Sequence, residues 1–256
     1  MNRALAIRVA PWAFTVALLI LWELVVVVFH IPAVFLPRPT AIAQAFVDYG
    51  PALLRNSLVT LAETVIGFAL AVAFGLGLGL VVGWSRAIYS GLYPLMIGFN
   101  AVPKVAVVPI LVLWFGLGFT PAVLTAFLIS FFPIVVNVAT GLATIEPELE
   151  DVLKALGASK LDIMRKVGIP RTLPYFFGSL KVAVTLAFVG SVVSESVAAN
   201  YGLGNLMLQA QAQFQTPLIF AGLVALAVEG IAMYAVMAML EARMTGWAQR
   251  SGFAQN

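Results

Sequence analysis

Cysteine is missing from this chain altogether, and histidine occurs once, at His30. The first absence excludes disulfides, thiolate metal sites and cysteine nucleophiles; the second rules out a histidine-rich metal site and a His-Glu-x-x-His zinc motif. A serine–histidine pair would have to use His30, which stands at the edge of an apolar run with no nucleophile near it in sequence. Charge is scarce as well. Asp, Glu, Lys and Arg make up 10% of the residues, against about 25% in soluble domains. No Gly-x-x-x-x-Gly-Lys-Ser/Thr phosphate loop is present, so nothing here would hydrolyse a nucleotide unaided. An intramembrane enzyme is therefore disfavoured, and no nucleic-acid partner is expected.

What remains is apolar. Of the 256 residues 62% are hydrophobic, and the mean hydropathy is +1.04. Six stretches, at about 11–29, 58–83, 90–115, 121–143, 175–199 and 217–240, suit spans across about 30 Å of hydrocarbon. The expected fold is all-α: a polytopic membrane protein of six transmembrane helices, forming one transmembrane domain over 1–256. The first stretch reads as a retained helix rather than a cleaved signal, because its apolar run is long and continues into Ile31-Pro32-Ala33-Val34-Phe35.

Punctuation between the stretches is informative. Leu36-Pro37-Arg38-Pro39 is a rigid turn, and Thr40 to Tyr49 reads as an amphipathic helix. Gly67, Ala71, Gly75, Gly79 and Gly83 recur every four residues, a stripe that lets another helix backbone approach closely. Packing within one chain is the favoured use of it, ahead of a contact between copies. Trp84-Ser85-Arg86 forms a tight turn. Pro94, Pro103 and Pro109 should kink or partly unwind the third stretch, whose freed carbonyls then belong in protein or water rather than lipid. Gly116 to Gly118 turns the chain, and Thr120-Pro121 signals the start of the fourth helix. Tyr201 to Thr216 is expected to be a loop, and Glu241 to Asn256 a short polar tail.

Arg3, Arg8, Arg86, Lys154, Lys160, Arg165, Lys166, Arg171, Arg243 and Arg250 fall on one side of this topology, and only Arg38 and Arg55 on the other. The excess of positive charge places both termini in the cytoplasm.

The same side carries the one long polar interval, Glu146 to Pro174, acidic at its front and basic at its back. Pro147 suits a first helical position, with acids after it at the positive end of the helix dipole. Gly157 suits a left-handed helix stop, and Ser159 with Asp162 has capping-box spacing. Two short helices are expected, the second ending near Gly168. Val152, Leu153 and Leu156 form an apolar ridge on the first; Leu161, Met164 and Val167 do so on the second. Such a segment either lies on the lipid surface or, as favoured here, docks a soluble partner.

Asp151-Val152-Leu153, three residues, Gly157, nine residues, then Val167-Gly168-Ile169-Pro170 resembles the EAA loop of bacterial ABC-importer permeases. The family pattern is Glu-Ala-Ala, three residues, Gly, nine residues, Ile-x-Leu-Pro. Gly157 and Pro170 are in register, whereas Asp and Val-Leu replace the family's Glu and Ala-Ala. Trp22-Glu23, Leu36 to Pro39, Pro103 through Pro109, Leu113 to Gly118, Phe132-Pro133, and Glu195 followed by Gly202-Leu203-Gly204 extend the resemblance to the branch importing nitrate, sulfonates and taurine. The resemblance implies a coupling helix seated in a separate ATPase, with Glu148, Asp151, Val152, Leu153, Leu156, Gly157, Ala158 and Pro170 at the contact. It further implies a homodimer of permeases in a bacterial inner membrane, two cytoplasmic ATPases and an extracytoplasmic solute-binding protein. No cofactor is then expected on this chain, ATP and magnesium belonging to the ATPase.

Ionisable residues at membrane depth are functional candidates by default. Lys104, near Asn100 on the broken third stretch, is the leading pathway residue, able to meet an anion or to pair with Glu195 as a gate. Ser194 and Glu195 lie where solute would arrive from the binding protein, and Asn137 is a further candidate. Lys181 and Glu63 are placed to snorkel, while Glu23 and Glu229 read as structural partners of one another or of Lys104. The expected cargo is a small anion, of sulfonate, taurine, nitrate or aromatic carboxylate type; a pyrimidine-type vitamin precursor is the alternative. A secondary carrier would show internal repeats with paired broken helices, and the halves show no such self-similarity. A mere membrane anchor would not need so broken a third stretch.

Overall fold

A computed structural model describes residues 2–144 and 146–250, and among these every regular element is helical. Helix α1 (Asn2–Val28) is followed by the short α2 (Pro39–Asp48) and the long α3 (Gly50–Gly83). Then come α4 (Arg86–Ala101), a 3-10 turn at Lys104–Val107, and α5 (Val108–Phe115). Helix α6 (Phe119–Ala143) leads to the inner elbow, α7 (Pro147–Ala155) and α8 (Lys160–Ile163). A π-helical turn at Met164–Gly168 runs directly into α9 (Ile169–Ala198), and α10 (Leu203–Ala212) and α11 (Thr216–Arg250) complete the chain. Five segments are long and apolar enough to cross a membrane, and α4 with α5, bent by 73° at the break, makes a sixth.

The core is the trio α3, α6 and α9. Gly67, Gly75, Gly79 and Gly83 of α3 lie directly against Ala126, Ile134, Val138 and Leu142 of α6, with Ala71 fully buried between them. The four-residue stripe is thus spent inside the chain, because only hydrogen side chains leave room for the facing β-carbons. Helix α9 closes on α6 in the same way, Gly190 over Ala126 and Gly141 under Thr172. Helix α1 stays at the edge, tied through Trp22, whose ring lies tilted against Phe220 at 5.9 Å.

The broken third stretch behaves as its prolines require. The backbone leaves α4 at Val102 in an extended conformation, and Pro109 falls in the first turn of α5, where its missing N–H costs nothing. Gly116 and Gly118 take positive φ, 79° and 123°, to reverse the chain. Helix α6 starts at Phe119 with Gly118 at its N-cap and no side-chain cap, so Thr120 does not serve as one.

Five features differ from the sequence expectation. Helices α3 and α9 begin about one to two turns earlier than 58 and 175, and α11 runs through Glu241 to Arg250 instead of fraying into a tail; residues 251–256 of that tail lie outside the described residues. The stretch 201–216 holds α10 rather than an open loop. The second elbow helix does not stop near Gly168. The wider π turn re-routes the backbone bonds just where Pro170 would remove one, so helix continues into the span.

Candidate functional site

The inner elbow is built by local rules. Helix α7 carries Glu148 and Glu150 in its first turn and Lys154 in its last, matching the helix dipole at both ends. Gly157, at φ +81°, ends it. The Ala158 amide donates back to the Leu153 carbonyl at 3.0 Å and the Gly157 amide to Lys154 at 2.9 Å, the paired bonds of a Schellman stop. Ser159 and Asp162 then form a complete capping box for α8. Hydrogen bonds from Ser159 hold the Asp162 carboxyl below its ordinary range, while the Glu150 carboxylate, 2.9 Å away, pushes the Lys154 amine up. Arg171 reaches back to Glu146 at 3.8 Å.

This architecture leaves an apolar edge uncovered. Val152 is 56% and Leu156 78% exposed, and Leu153, Leu156, Gly157 and Ala158 line a groove of about 350 Å³ against Ile163 of α8 and Val167 of the π segment. On the second ridge, Met164 turns inward and is buried while Leu161 stays exposed. Behind the elbow, Trp84, Ser85, Tyr89, Glu150 and Lys160 border a cavity of about 630 Å³. Ser85 caps α4 there by accepting from the Ala87 amide. Glu148 and Asp151 are exposed, Asp151 lying 3.5 Å from Lys154. Pro170 sits inside continuous helix, in the first turn after the π segment.

The pathway candidates do not assemble as expected. The Lys104 amine donates to the Asn100 side-chain oxygen at 2.6 Å and backbone carbonyl at 3.2 Å, and it lies over the Phe132 ring. It does not pair with Glu195, so the proposed gate is not formed. Glu195 is 0% exposed and Ser194 2%; both point into packed protein. Asn137 donates to the Pro133 carbonyl of its own helix at 2.8 Å. Asn100 is exposed beside Lys104. The structure thus brings Asn100 and Lys104 together at the break of the third stretch.

The remaining membrane-depth charges are structural, in ways sequence reasoning missed. Glu23 caps α2, accepting from Thr40 through its amide at 3.1 Å and its hydroxyl at 2.9 Å; it meets neither Glu229 nor Lys104. Lys181 bonds Glu241 of α11 at 2.5 Å. Glu63, expected to snorkel, is 1% exposed. It belongs to a polar seam at the far end of the bundle from the elbow. There Asn56 and Thr60 accept from the Gly202 and Leu203 amides at 2.8 and 2.9 Å, Glu195 accepts from Gly204 at 2.7 Å, and Thr64 meets Ser191 at 2.6 Å. A signal for this seam was present: Glu63 stands four residues before Gly67, and Asn56, Thr60 and Thr64 recur every four residues beside it. Among the described residues no cluster of three metal-ligating side chains occurs.

Residues 71–246 match the family model described as the binding-protein-dependent transport system inner membrane component. The chain is 33% identical over 241 residues to the formylaminopyrimidine transport permease protein ThiX of Halalkalibacterium halodurans, covering 94% of this chain and 96% of that one. It is 36% identical over 232 residues to the riboflavin transport system permease protein RibX of Chloroflexus aurantiacus, covering 90% and 87%. With the putative aliphatic sulfonates transport permease protein SsuC of Bacillus subtilis it shares 27% over 229 residues, 89% and 83% of the two chains. In fold it is similar to a chain of the inward-facing MetNI methionine ABC transporter, at a TM-score of 0.66 and 20% identity, over 76% of this chain and 96% of that one.

Proposed function

Because the chain belongs to the family of inner membrane components of binding-protein-dependent transport systems, we propose that it is the permease of an ATP-driven importer for a nitrogen-heterocyclic vitamin or its precursor. In this reading α7 is the coupling helix, both termini are cytoplasmic, and two copies of the chain form the path across a bacterial inner membrane. ATP and magnesium act on two separate ATPase chains, and an extracytoplasmic binding protein delivers the solute. The observation that carries the reading is the elbow itself. Its apolar edge at Val152 and Leu156 is exposed on a helix stopped firmly at its C-terminal end, and it adjoins an unbroken helical run, 160–198, that reaches the far side of the bundle. A load applied to α7 thus passes into α9 and from there into α3 and α6.

The names of two relatives above 30% identity, the formylaminopyrimidine and riboflavin permeases, support a heterocyclic cargo. A small anion, such as a sulfonate, is the second reading, and Lys104 at the break of the third stretch favours it together with the sulfonate relative. Uptake of solute into vesicles holding the full complex tests the assignment. Transport should stop when the ATPase carries an inactive nucleotide site; transport that persists there would point to a carrier that needs no ATP. The ligand of the cognate binding protein then identifies the cargo.

A further inference from the structure

The polar seam contains a feature that solute import does not explain. Glu63 of α3 and Glu195 of α9 are both sealed from solvent, and they lie in one seam: Thr64, next to Glu63, meets Ser191, one turn before Glu195, at 2.6 Å, while Thr60 and Glu195 accept from the consecutive Leu203 and Gly204 amides. Each keeps one oxygen without a partner, Oε2 of Glu63 and Oε1 of Glu195. Two carboxylates cannot bond to one another, because neither has a proton to donate. Two bare anions in contact away from water would also be strongly unfavourable.

We propose that Glu63 and Glu195 bind one proton between them, with Glu63 as the acid and Glu195 as the carboxylate, and that this proton seats α10 on the bundle. The division of roles follows from what surrounds each group. Glu195 accepts from the Gly204 amide at 2.7 Å, in the first turn of the ten-residue α10, where the positive end of the helix dipole favours negative charge. Glu63 has no such donor from the backbone. Its oxygen is free to carry the proton and give it to Glu195. The fit is close: a β-carbon on Gly202 would run into the Glu195 carboxyl, and one on Gly204 would stand 2.9 Å from the Glu195 Cβ.

Nothing nearby replaces the proton with a fixed cation. Helices α6 and α10 contain no titratable side chain. On α3 the other ionisable group is Arg55, which lies over the Tyr201 ring. Lys181 on α9 is bound to Glu241, and Lys104 on the 3-10 turn to Asn100. Helix α11 brings a further carboxyl, Glu229, whose Oε2 is buried without a partner, adding negative rather than positive charge. Raising the pH removes the shared proton and leaves two anions face to face under the start of α10.

Infrared spectroscopy of the full chain in lipid nanodiscs tests the assignment, through the carbonyl stretch of protonated carboxyls at neutral pH. Glu63→Gln, which keeps the shape of the acid and its ability to donate, should fold normally and lose one protonated-carboxyl component. Glu195→Gln should retain that component and loosen α10, read as faster amide exchange across Leu203–Ala212. Thermal unfolding of the parent protein should weaken as pH rises above neutral, and that slope should vanish in Glu63→Gln. Retention of the component in Glu63→Gln, its loss in Glu195→Gln, or failure of Glu63→Gln to fold would each overturn the proposal.

Discussion

A β-carbon placed on Gly75 of α3 would stand 2.8 Å from the Ile134 Cβ of α6. Helices in lipid gain little from burying apolar surface against one another, so association rests on such close packing. Gly75→Leu should therefore separate α3 from α6 and cost at least the roughly 1–3 kcal/mol of an overpacked core. Gly77→Ala is the control, since its added carbon meets nothing within 4 Å. Thermal unfolding in detergent should show a lowered midpoint for the first variant and none for the second.

That stripe was legible because one helix face repeats every four residues, whatever its partner. The break at Pro103 and the stop at Gly157 were legible for a similar reason: each follows from the covalent restrictions of a single residue. Legibility ended where an outcome depended on two distant segments. Glu63 reads as a charge near a membrane edge, and Glu23 as a deep partner of Glu229 or Lys104. In the fold one is enclosed by α9 and α10, and the other becomes the cap of α2. Gly168 followed by Ile169-Pro170 reads as a helix end under α-helical bonding, whereas a π turn absorbs the proline. The Lys104–Glu195 gate failed for want of distance information; both residues found nearer partners.

At the elbow, Leu156 contributes exposed apolar surface and little to its own helix. Leu156→Asp should leave folding intact and reduce co-purification of the ATPase at least tenfold, on the order of 1.4 kcal/mol or more of lost docking energy. Ala158 and Gly157 hold the stop, so Gly157→Val should also weaken docking by straining a left-handed position at about 1–2 kcal/mol. Equal co-purification of the parent and Leu156→Asp would remove α7 from the interface.

Acid should loosen the same elbow at its second cap. Asp162 is held below its ordinary range chiefly by the Ser159 hydroxyl, then by the Ser159 amide. A carboxyl depressed in the folded state stabilises it above the unfolded value, about 3.9, and that contribution fades as pH falls through the lower folded value. Ser159→Ala should move the Asp162 titration upward toward the ordinary range. Carbon-detected NMR of labelled aspartate follows it directly; an unmoved titration would mean that the cap is not closed in solution.

Lys181 and Glu241 join α9 to α11 at 2.5 Å, each side chain about a quarter exposed or less. Removing one partner strands the other's charge in a half-buried site. Lys181→Ala and Glu241→Ala should each destabilise by about 1–3 kcal/mol, and the double variant by clearly less than their sum. Additive losses in chemical unfolding would show that the two residues act separately.

Lys104 decides between the two cargo readings. Its amine is already satisfied by Asn100, so an anion must either displace that amide or share the cation with it. If the cargo is anionic, Lys104→Ala should lower uptake at least tenfold while the assembled complex, judged by ATPase co-purification, stays whole. Lys104→Arg should recover part of the loss, because it restores charge at the same depth. If the cargo is a neutral heterocycle, the cation is a local brace at the bend of the third stretch. Lys104→Ala and Asn100→Ala should then resemble each other, with small effects on uptake and a modest loss of thermal stability. Unchanged uptake in both variants removes this pair from the pathway.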